Sequence, residues 1–409
     1  MNYRPFDATR DRTDVYRIWE EVGWIDKSEH EKLDRFLESG KVIVSDHQGA
    51  VECMVLTTLG DLRYVKEEIP FCCIASVTTG RVARQLGLAS HLTTVAVAEA
   101  AAEGTVLIGL SMFEQGFYDQ LGFGTGSYEH TIAFDPGQLV VRRKARSPLR
   151  LTNADWIRVH AARLQRKRLH GSCNLWSSAI TRSDMEWSEN RFGLGYADGD
   201  SGELSHYIWL DGGKGGSGPM SVCWLCYQTH EQFWELLALL HSLSDQLLLV
   251  RMTEPPGIQM QDFLKQPLRG RRITANSPFT QQIKASANWQ MRLCDLPGAL
   301  KRTSLSCETL RFNLALTDPI GARLNETSPW QGIGGEYVIE LGPQSHAERG
   351  RDTSLPLLKA SVGAFTRLWL GVRSATGLAI SDDLVATSEL LEQLDAVLRL
   401  PTPAIDWDY

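Results

Sequence analysis

The sequence has no long apolar run. No stretch reaches the roughly 18 consecutive apolar residues that a transmembrane helix requires. The amino-terminal residues 1–7 also lack the apolar core of a secretory signal peptide. These two absences predict a soluble, cytoplasmic protein with no membrane partner.

An excess of positive charge is absent as well. The chain has 42 lysines and arginines against 49 aspartates and glutamates, a net charge of −7 at pH 7. Because a nucleic-acid binder needs a basic face, this balance argues against a nucleic-acid partner. The basic run Arg142–Arg146 is therefore interpreted as a charged connector. The acidic balance permits a cationic substrate.

Cysteine is sparse and scattered. The eight cysteines do not have the dense spacing of a small disulfide-rich scaffold. Cys223 and Cys226 form one CxxC pair inside an apolar run, without a second pair or clustered histidines. We therefore interpret the pair as part of a packed strand and predict no metal site.

A length of 409 residues indicates two or three domains at about 150 residues each. Predicted helices and strands alternate along the chain, which indicates mixed α/β layers. The predicted helices cover residues 11–23, 28–39, 86–103, 153–169, 361–370 and 388–400, with one more after a capping box at Thr229–Gln232. The predicted strands cover residues 41–45, 52–58, 74–79, 106–110, 207–210, 220–227, 310–316 and 336–341.

The carboxyl-terminal tail combines chain breakers with large apolar side chains. Pro401 and Pro403 end the last predicted helix, so the tail is expected to be extended. It nevertheless carries Ile405, Trp407 and Tyr409, which are unusual in a terminus exposed to water. This composition predicts a tail that docks on the rest of the protein.

Residues 75–90 carry the most informative local pattern, in which a strand, a short loop and a long helix follow one another. Arg84-x-x-Gly87-x-Ala89 opens the helix. Unpaired backbone N–H groups at such a helix start, together with the positive end of the helix dipole, suit a pyrophosphate. Gly87 lets a phosphate approach the backbone, and Arg81 and Arg84 can neutralise its charge.

A second motif follows strand 106–110. It reads Gly116-Phe-Tyr118-x-x-Leu-Gly122-Phe-Gly124. In this order and spacing, the two motifs resemble the GNAT N-acetyltransferases. The pyrophosphate loop of that family reads Q/R-x-x-G-x-G/A, and its later F-Y-x-x-L-G-F segment carries a tyrosine near the sulfur of acetyl-CoA.

The whole chain resembles one GNAT branch, the enhanced intracellular survival proteins, which acetylate aminoglycosides. The resemblance implies an α/β fold with mixed sheets, two tandem GNAT-like domains and a third, sterol-carrier-protein-like α+β domain. The catalytic domain would cover residues 1–140, a degenerate GNAT-like domain 150–288, and the third domain 289–409. The middle segment lacks the R-x-x-G-x-A loop, as this arrangement implies. A homo-oligomer, specifically a hexamer, is also implied.

The resemblance also implies the site residues. Tyr118 would be the general acid, and the terminal α-carboxylate of Tyr409 the general base. Thr79-Gly-Arg81 replaces the family's more usual Val-x-Pro, which changes the stiffness and charge of the loop. The residues implied to contact acetyl-CoA are Thr79, Gly80, Arg81, Arg84, Gln85, Leu86, Gly87, Leu88, Ala89, Ser90, His91, Leu92, Phe113 and Glu114.

The implied reaction transfers acetyl from acetyl-CoA to a primary amine by direct attack, with an aminoglycoside-like polyamine as the small-molecule substrate. Three alternatives remain open: acetylation of a protein lysine or another small amine, a non-catalytic acyl-CoA or lipid carrier, and a structural oligomer. Tyr118 could also be a packing residue beside Phe117. Five acidic residues could bind a polycation, although each is also expected as ordinary surface charge: Glu20, Glu21, Asp26, Asp406 and Asp408.

Overall fold

The computed structural model of the chain describes residues 3–199, 202–212, 218–267 and 276–407. It forms two compact units. The first consists of Met1–Ser127, Leu169–Ser177 and Ala287–Tyr409, and the second of Tyr128–Arg168 and Ser178–Ser286. Both contain mixed sheets and helices, so the predicted α/β class is confirmed. The division into three domains stays a prediction.

The helices and strands have the following bounds. The helices are α1 Ala8–Val22, α2 His30–Leu37, α3 Leu88–Ala102, α4 Trp156–Leu164, α5 Ser178–Glu186, α6 His230–Ser242, α7 Leu296–Lys301, α8 Val362–Trp369, α9 Ala375–Ser381 and α10 Ser388–Val397. The strands are β1 Tyr3–Pro5, β2 Lys41–His47, β3 Ala50–Tyr64, β4 Glu67–Thr79, β5 Leu107–Ser111, β6 Gly124–Thr125, β7 Glu129–Phe134, β8 Leu149–Leu151, β9 Cys173–Leu175, β10 Arg191–Ala197, β11 Leu204–Asp211, β12 Met220–Cys226, β13 Val250–Thr253, β14 Gln282–Ser286, β15 Trp289–Leu293, β16 Leu310–Thr317, β17 Gly335–Leu341, β18 His346–Arg349, β19 Leu357–Ser361 and β20 Leu384–Val385.

The main sheet of the first unit has the strand order β1-β2-β3-β4-β5-β15-β6, with β9 paired to β3. β4 and β5 are parallel neighbours. Trp19 of α1 donates to Met54 of β3 at 3.1 Å, whereas Cys53 belongs to the core that contains Leu92 of α3. Because successive strand residues face opposite sides, α1 and α3 cover opposite faces of this sheet.

The β3–β4 hairpin is much longer than the sequence predicts. Its two strands pair from Cys53–Thr79 to Tyr64–Glu67, with one register shift next to Leu56, whereas the predicted strands cover only residues 52–58 and 74–79. The connecting turn contains Val65, whose φ is 54°. A β-branched residue is rare in this conformation, and none of the usual turn residues marks the hairpin in the sequence.

The carboxyl-terminal part of the first unit adds a second sheet with the order β18-β17-β16-β19-β20. β15 does not join this second sheet, although it opens the segment predicted as the third domain. It lies between β5 and β6 in the main sheet. The sequence gives no sign of this long-range pairing.

The tail docks as predicted, as far as Trp407. Ile405 and Trp407 are 4% and 5% exposed. Ala404 donates its N–H to the carbonyl of His170 at 3.1 Å, and Cys173 donates to the carbonyl of Ile405 at 2.9 Å.

The second unit contains one sheet with the order β14-β7-β13-β12-β11-β10-β8. β12 and β13 are parallel and α6 connects them. Cys223 and Cys226 lie on β12, in agreement with the interpretation of their CxxC as part of a strand. Among the residues with described positions, no helix is both long and apolar enough to cross a membrane.

Candidate active site

The parallel strands β4 and β5 separate at their carboxyl ends. Their ladder runs from Phe71–Leu107 to Ile74–Leu110 and stops there. β4 then continues to Thr79, and its pairing with β3 shifts register next to Leu56, which is the mark of a bulge. Residues 75–79 therefore present backbone N–H and C=O groups along an edge that β5 does not cover.

This open edge leads directly to the start of α3. Gly87 occupies the N-cap position with a φ of 79°, a conformation that glycine adopts without strain, and no side chain caps the helix. Among the residues that the structure describes, the first N–H groups of α3 therefore have no side-chain acceptor. Together with the helix dipole they form an anion-binding end.

The loop between β4 and α3 is fixed to α1 by Arg81. Its backbone N–H donates to the Glu21 carboxylate at 2.7 Å, and its guanidinium donates to the Glu21 carbonyl at 2.8 and 3.1 Å. The backbone hydrogen bond is the main reason why the pKa of Glu21 is lowered. Arg81 thus holds the loop, and its side chain is already engaged.

Two further charged residues, Arg17 and Glu52, extend this network, and no motif in the sequence marks them. Arg17 donates to Glu21 at 3.0 Å and to Glu52 at 2.8 Å. Glu52 is 4% exposed. A Cβ on Gly80 would lie 2.0 Å from its Oε2 and 2.9 Å from Ile18, so a larger residue there would displace the Glu52 carboxylate. Only the tertiary fold brings these residues together.

Two arginines near the start of α3 have no carboxylate partner within the described part of the chain. Arg84 lies exposed in the loop itself. Arg323, from the carboxyl-terminal segment, donates to the Ser90 hydroxyl at 2.9 Å and to the side-chain amide oxygen of Gln120 at 3.0 Å. Arg323 is separated from both acceptors by more than 200 residues, so no local motif could have identified it.

Tyr118 lies half-buried in the turn after β5. Its ring makes edge contacts with Phe117 at 4.8 Å and Phe123 at 6.0 Å. Burial, and to a smaller degree the neighbouring Cys53 thiol, raises the pKa of Tyr118 to about 12. Cys53 in turn contacts Thr79 at 3.3 Å. The phenol is therefore protonated at neutral pH and lies near the end of β4.

The remaining predicted cofactor residues divide into three groups. Leu88 and Leu92 are buried in the core, so their side chains position α3. Gln85, Leu86 and Gly87 are exposed in the loop. The others lie on the first turns of α3 or after β5: Ala89 and His91 are partly buried, Glu114 is exposed, and Phe113 is 90% exposed and contacts Trp24 at 5.8 Å.

The predicted base lies outside the described residues. These end at Trp407, so the structure places neither Tyr409 nor Asp408. Of the acidic candidates, Glu20 contacts His30 at 2.6 Å, and Asp26 caps the turn that follows it. Within the described ranges, no group of three or more His, Cys, Asp or Glu side chains is arranged to hold a metal ion.

No protein-family model and no curated protein matches the sequence. Solved structures do match along the whole chain. A probable N-acyltransferase from Enterococcus faecalis V583 has a TM-score of 0.79 at 16% identity, with 100% of this chain and 99% of that chain covered. Eis1 from Mycobacterium abscessus has a TM-score of 0.77 at 15% identity, with 100% of both chains covered. A GCN5-related N-acetyltransferase from Kribbella flavida has a TM-score of 0.74 at 16% identity, with 100% of this chain and 98% of that chain covered. The protein has the GNAT fold.

The GNAT fold makes the contrast between the two units informative. In the second unit, α6 follows the parallel strand β12 as α3 follows β4. Thr229 and Gln232, however, cap α6 reciprocally in the predicted capping box. Because side chains already satisfy the first N–H groups of α6, that helix start has lost the open donors that α3 retains.

Proposed function

We propose that the protein is an acetyl-CoA-dependent N-acetyltransferase that transfers acetyl to a primary amine by direct attack. The observation that carries the proposal is the open edge of β4 leading into the uncapped start of α3. The pantetheine arm of CoA contains two amides that can pair with a strand edge. Its diphosphate suits the N–H groups at the helix start. The residues present therefore fit acetyl-CoA at this site.

Acetyl-CoA supplies an activated thioester when bound, and the protein must orient it and manage two protons. The amine nitrogen bonds to the carbonyl carbon, the C–S bond breaks, and the thiolate leaves. Tyr118 donates its phenolic proton to that sulfur. A backbone N–H following Val77 on the open edge stabilises the oxyanion.

We propose the α-carboxylate of Tyr409 as the acceptor of the amine proton, on the basis of the family resemblance and the docked tail. Adding one alanine after Tyr409 moves this carboxylate by one residue, and we expect kcat to fall at least about tenfold. Steady-state rates measure the effect, with one alanine added before Met1 as the control. Full activity of the carboxyl-terminal extension would remove Tyr409 from the mechanism.

The acceptor is proposed to be an aminoglycoside-like polyamine. The net charge of −7 and the exposed Phe113 ring, which contacts the partly buried Trp24, support a cationic substrate, since aromatic faces attract ammonium groups. A hexamer, the three-domain division and the sterol-carrier-like third domain also remain proposals based on the family resemblance.

Release of CoA from acetyl-CoA across a panel of amines tests the function. The panel contains aminoglycosides, polyamines, small primary amines and lysine peptides. Turnover with the aminoglycosides or polyamines supports the acceptor class, and preference for lysine peptides assigns a protein substrate instead. Absence of turnover with every amine would overturn the enzyme proposal in favour of an acyl-CoA carrier.

Arg84 and Arg323 are proposed to contact the phosphates of CoA. Replacing either arginine by glutamine removes a charge-assisted hydrogen bond, so we expect kcat/KM for acetyl-CoA to fall about tenfold. S-acetylpantetheine lacks these phosphates, and its kcat/KM should not change. Initial rates with the two thioesters provide the comparison.

Arg399→Gln is the matched control, because Arg399 is exposed on the same unit and has no described contact. This substitution should leave kcat/KM unchanged for both acetyl-CoA and S-acetylpantetheine. An equal loss with acetyl-CoA and S-acetylpantetheine in the Arg84 or Arg323 variant would contradict a phosphate contact.

A further inference from the structure

A strand from a distant part of the chain holds the turn that carries Tyr118. β15 lies between β5 and β6, with Trp289 opposite Ser111 and Gln290 opposite Thr125. Gln290 and Arg292 are two residues apart and therefore face the same side of the sheet. Both side chains are completely buried and reach the turn after Tyr118.

Gln290 joins the two ends of this turn. Its side-chain amide donates to the Asp119 carboxylate at 2.5 Å and to the Thr125 hydroxyl at 3.1 Å. Asp119 is the immediate neighbour of Tyr118. In the described part of the protein, Oε1 of Gln290 is buried without a hydrogen-bond partner. Both donors of the amide are thus used to join Asp119 to Thr125, while the unpaired oxygen offsets part of the stability that these bonds contribute.

Arg292 holds the middle of the same turn. Its guanidinium donates to the Leu121 carbonyl and pairs with Asp318 at 2.9 Å. The N–H of Leu121 donates back to the carbonyl of Tyr118 at 2.9 Å. The guanidinium also lies 5.2 Å from the ring centroid of Trp330. The chain of contacts from Arg292 therefore ends at the backbone of Tyr118.

We propose that Gln290 and Arg292 are positioning residues that hold the Tyr118 hydroxyl at the thioester sulfur. The inference rests on the proposed acetyl transfer. Proton donation to a leaving thiolate depends on alignment, and a displacement of about 1 Å in a catalytic group can cost about 100-fold in rate. Two buried polar side chains on a rigid strand provide the support that such alignment needs.

The test uses Gln290→Met, because methionine retains the side-chain length and lacks both donors. We expect kcat to fall about tenfold, with KM for acetyl-CoA changed less than about twofold. In the Tyr118→Phe background no hydroxyl remains to be positioned. The same substitution should therefore change kcat by less than about twofold there. Steady-state kinetics of the four proteins completes the double-mutant cycle.

Asn313→Leu is the matched control for loss of a buried amide. Asn313 lies on β16, is 3% exposed and bonds to backbone groups of Asp352 and Leu355. It should lower the melting temperature and leave kcat per folded protein unchanged.

Three outcomes would overturn the inference. The first is a Gln290→Met variant that retains the wild-type kcat. The second is an equal loss of kcat when Gln290→Met is introduced into the wild-type protein and into the Tyr118→Phe variant. The third is that the wild-type protein releases no CoA with any amine of the panel. That last result overturns the proposed function itself, whereas the first two overturn the positioning role and leave the proposed acetyl transfer in place.

Discussion

Tyr118→Phe should reduce kcat by about 10²- to 10³-fold, because proton transfer by a positioned side chain contributes rate factors of about 10²–10⁴. The substitution removes one hydroxyl and keeps the ring contacts with Phe117 and Phe123. The KM for acetyl-CoA should therefore remain unchanged. Initial rates of CoA release with the best amine measure both constants.

Tyr64→Phe is the control for this result. The hydroxyl of Tyr64 is buried and donates to the Trp369 carbonyl at 3.0 Å, at the other end of the hairpin from Thr79. Its loss should lower stability by about 1 kcal/mol and leave kcat unchanged. If Tyr118→Phe retained wild-type kcat, Tyr118 would be a packing residue.

The pH profile adds a second test of Tyr118. An ordinary tyrosine loses its proton near pH 10, whereas burial raises the pKa of Tyr118 to about 12. A general acid is active below its pKa, so activity should not fall as the pH rises from about 8 to about 10. If activity instead falls below pH 10, and this fall disappears in Tyr118→Phe, the pKa of Tyr118 is closer to that of an ordinary tyrosine.

Asp318→Ala should lower the free energy of unfolding by about 3–5 kcal/mol, because it leaves the buried Arg292 cation without its partner. Asp318 and Arg292 are 2% and 0% exposed. The Asp318 carboxylate also accepts the N–H groups of Ile320 and Ile333. A typical domain has a stability of about 5–15 kcal/mol, so the expected loss is a large fraction of it. Urea denaturation provides the measurement.

Glu340→Ala is the matched control, since Glu340 is partly exposed on β17 and pairs at 3.6 Å with the exposed Arg311. Removing that pair should cost less than about 1 kcal/mol. Equal, small losses for the two variants would mean that water reaches Arg292.

The sequence predicts those parts of the site that neighbouring residues form by themselves. The start of α3 depends on Gly87 and the residues beside it, so a local motif identifies it. The α6 capping box is equally local, because Thr229 and Gln232 satisfy each other across one helical turn. Tyr118 was found for the same reason, as part of a short motif.

The remaining contacts depend on chain segments that meet only after folding. Arg323 reaches Ser90 across 233 residues, and Gln290 reaches Asp119 across 171. In both pairs, the residues around one partner do not indicate which distant residue it contacts. The Arg17–Glu52 pair on α1 and β3 was missed because both residues have the appearance of ordinary surface charges.

The position of β15 has a consequence for protein synthesis. Residues 128–288 must leave the ribosome after β5 and before Trp289 can pair with it. At about 5–20 residues per second, this interval is on the order of ten seconds or more. During that time the edge of β5 has no partner and is open to aggregation. The Tyr118 turn can therefore reach its final shape only late in translation, so a nascent chain should gain activity only when synthesis is nearly complete.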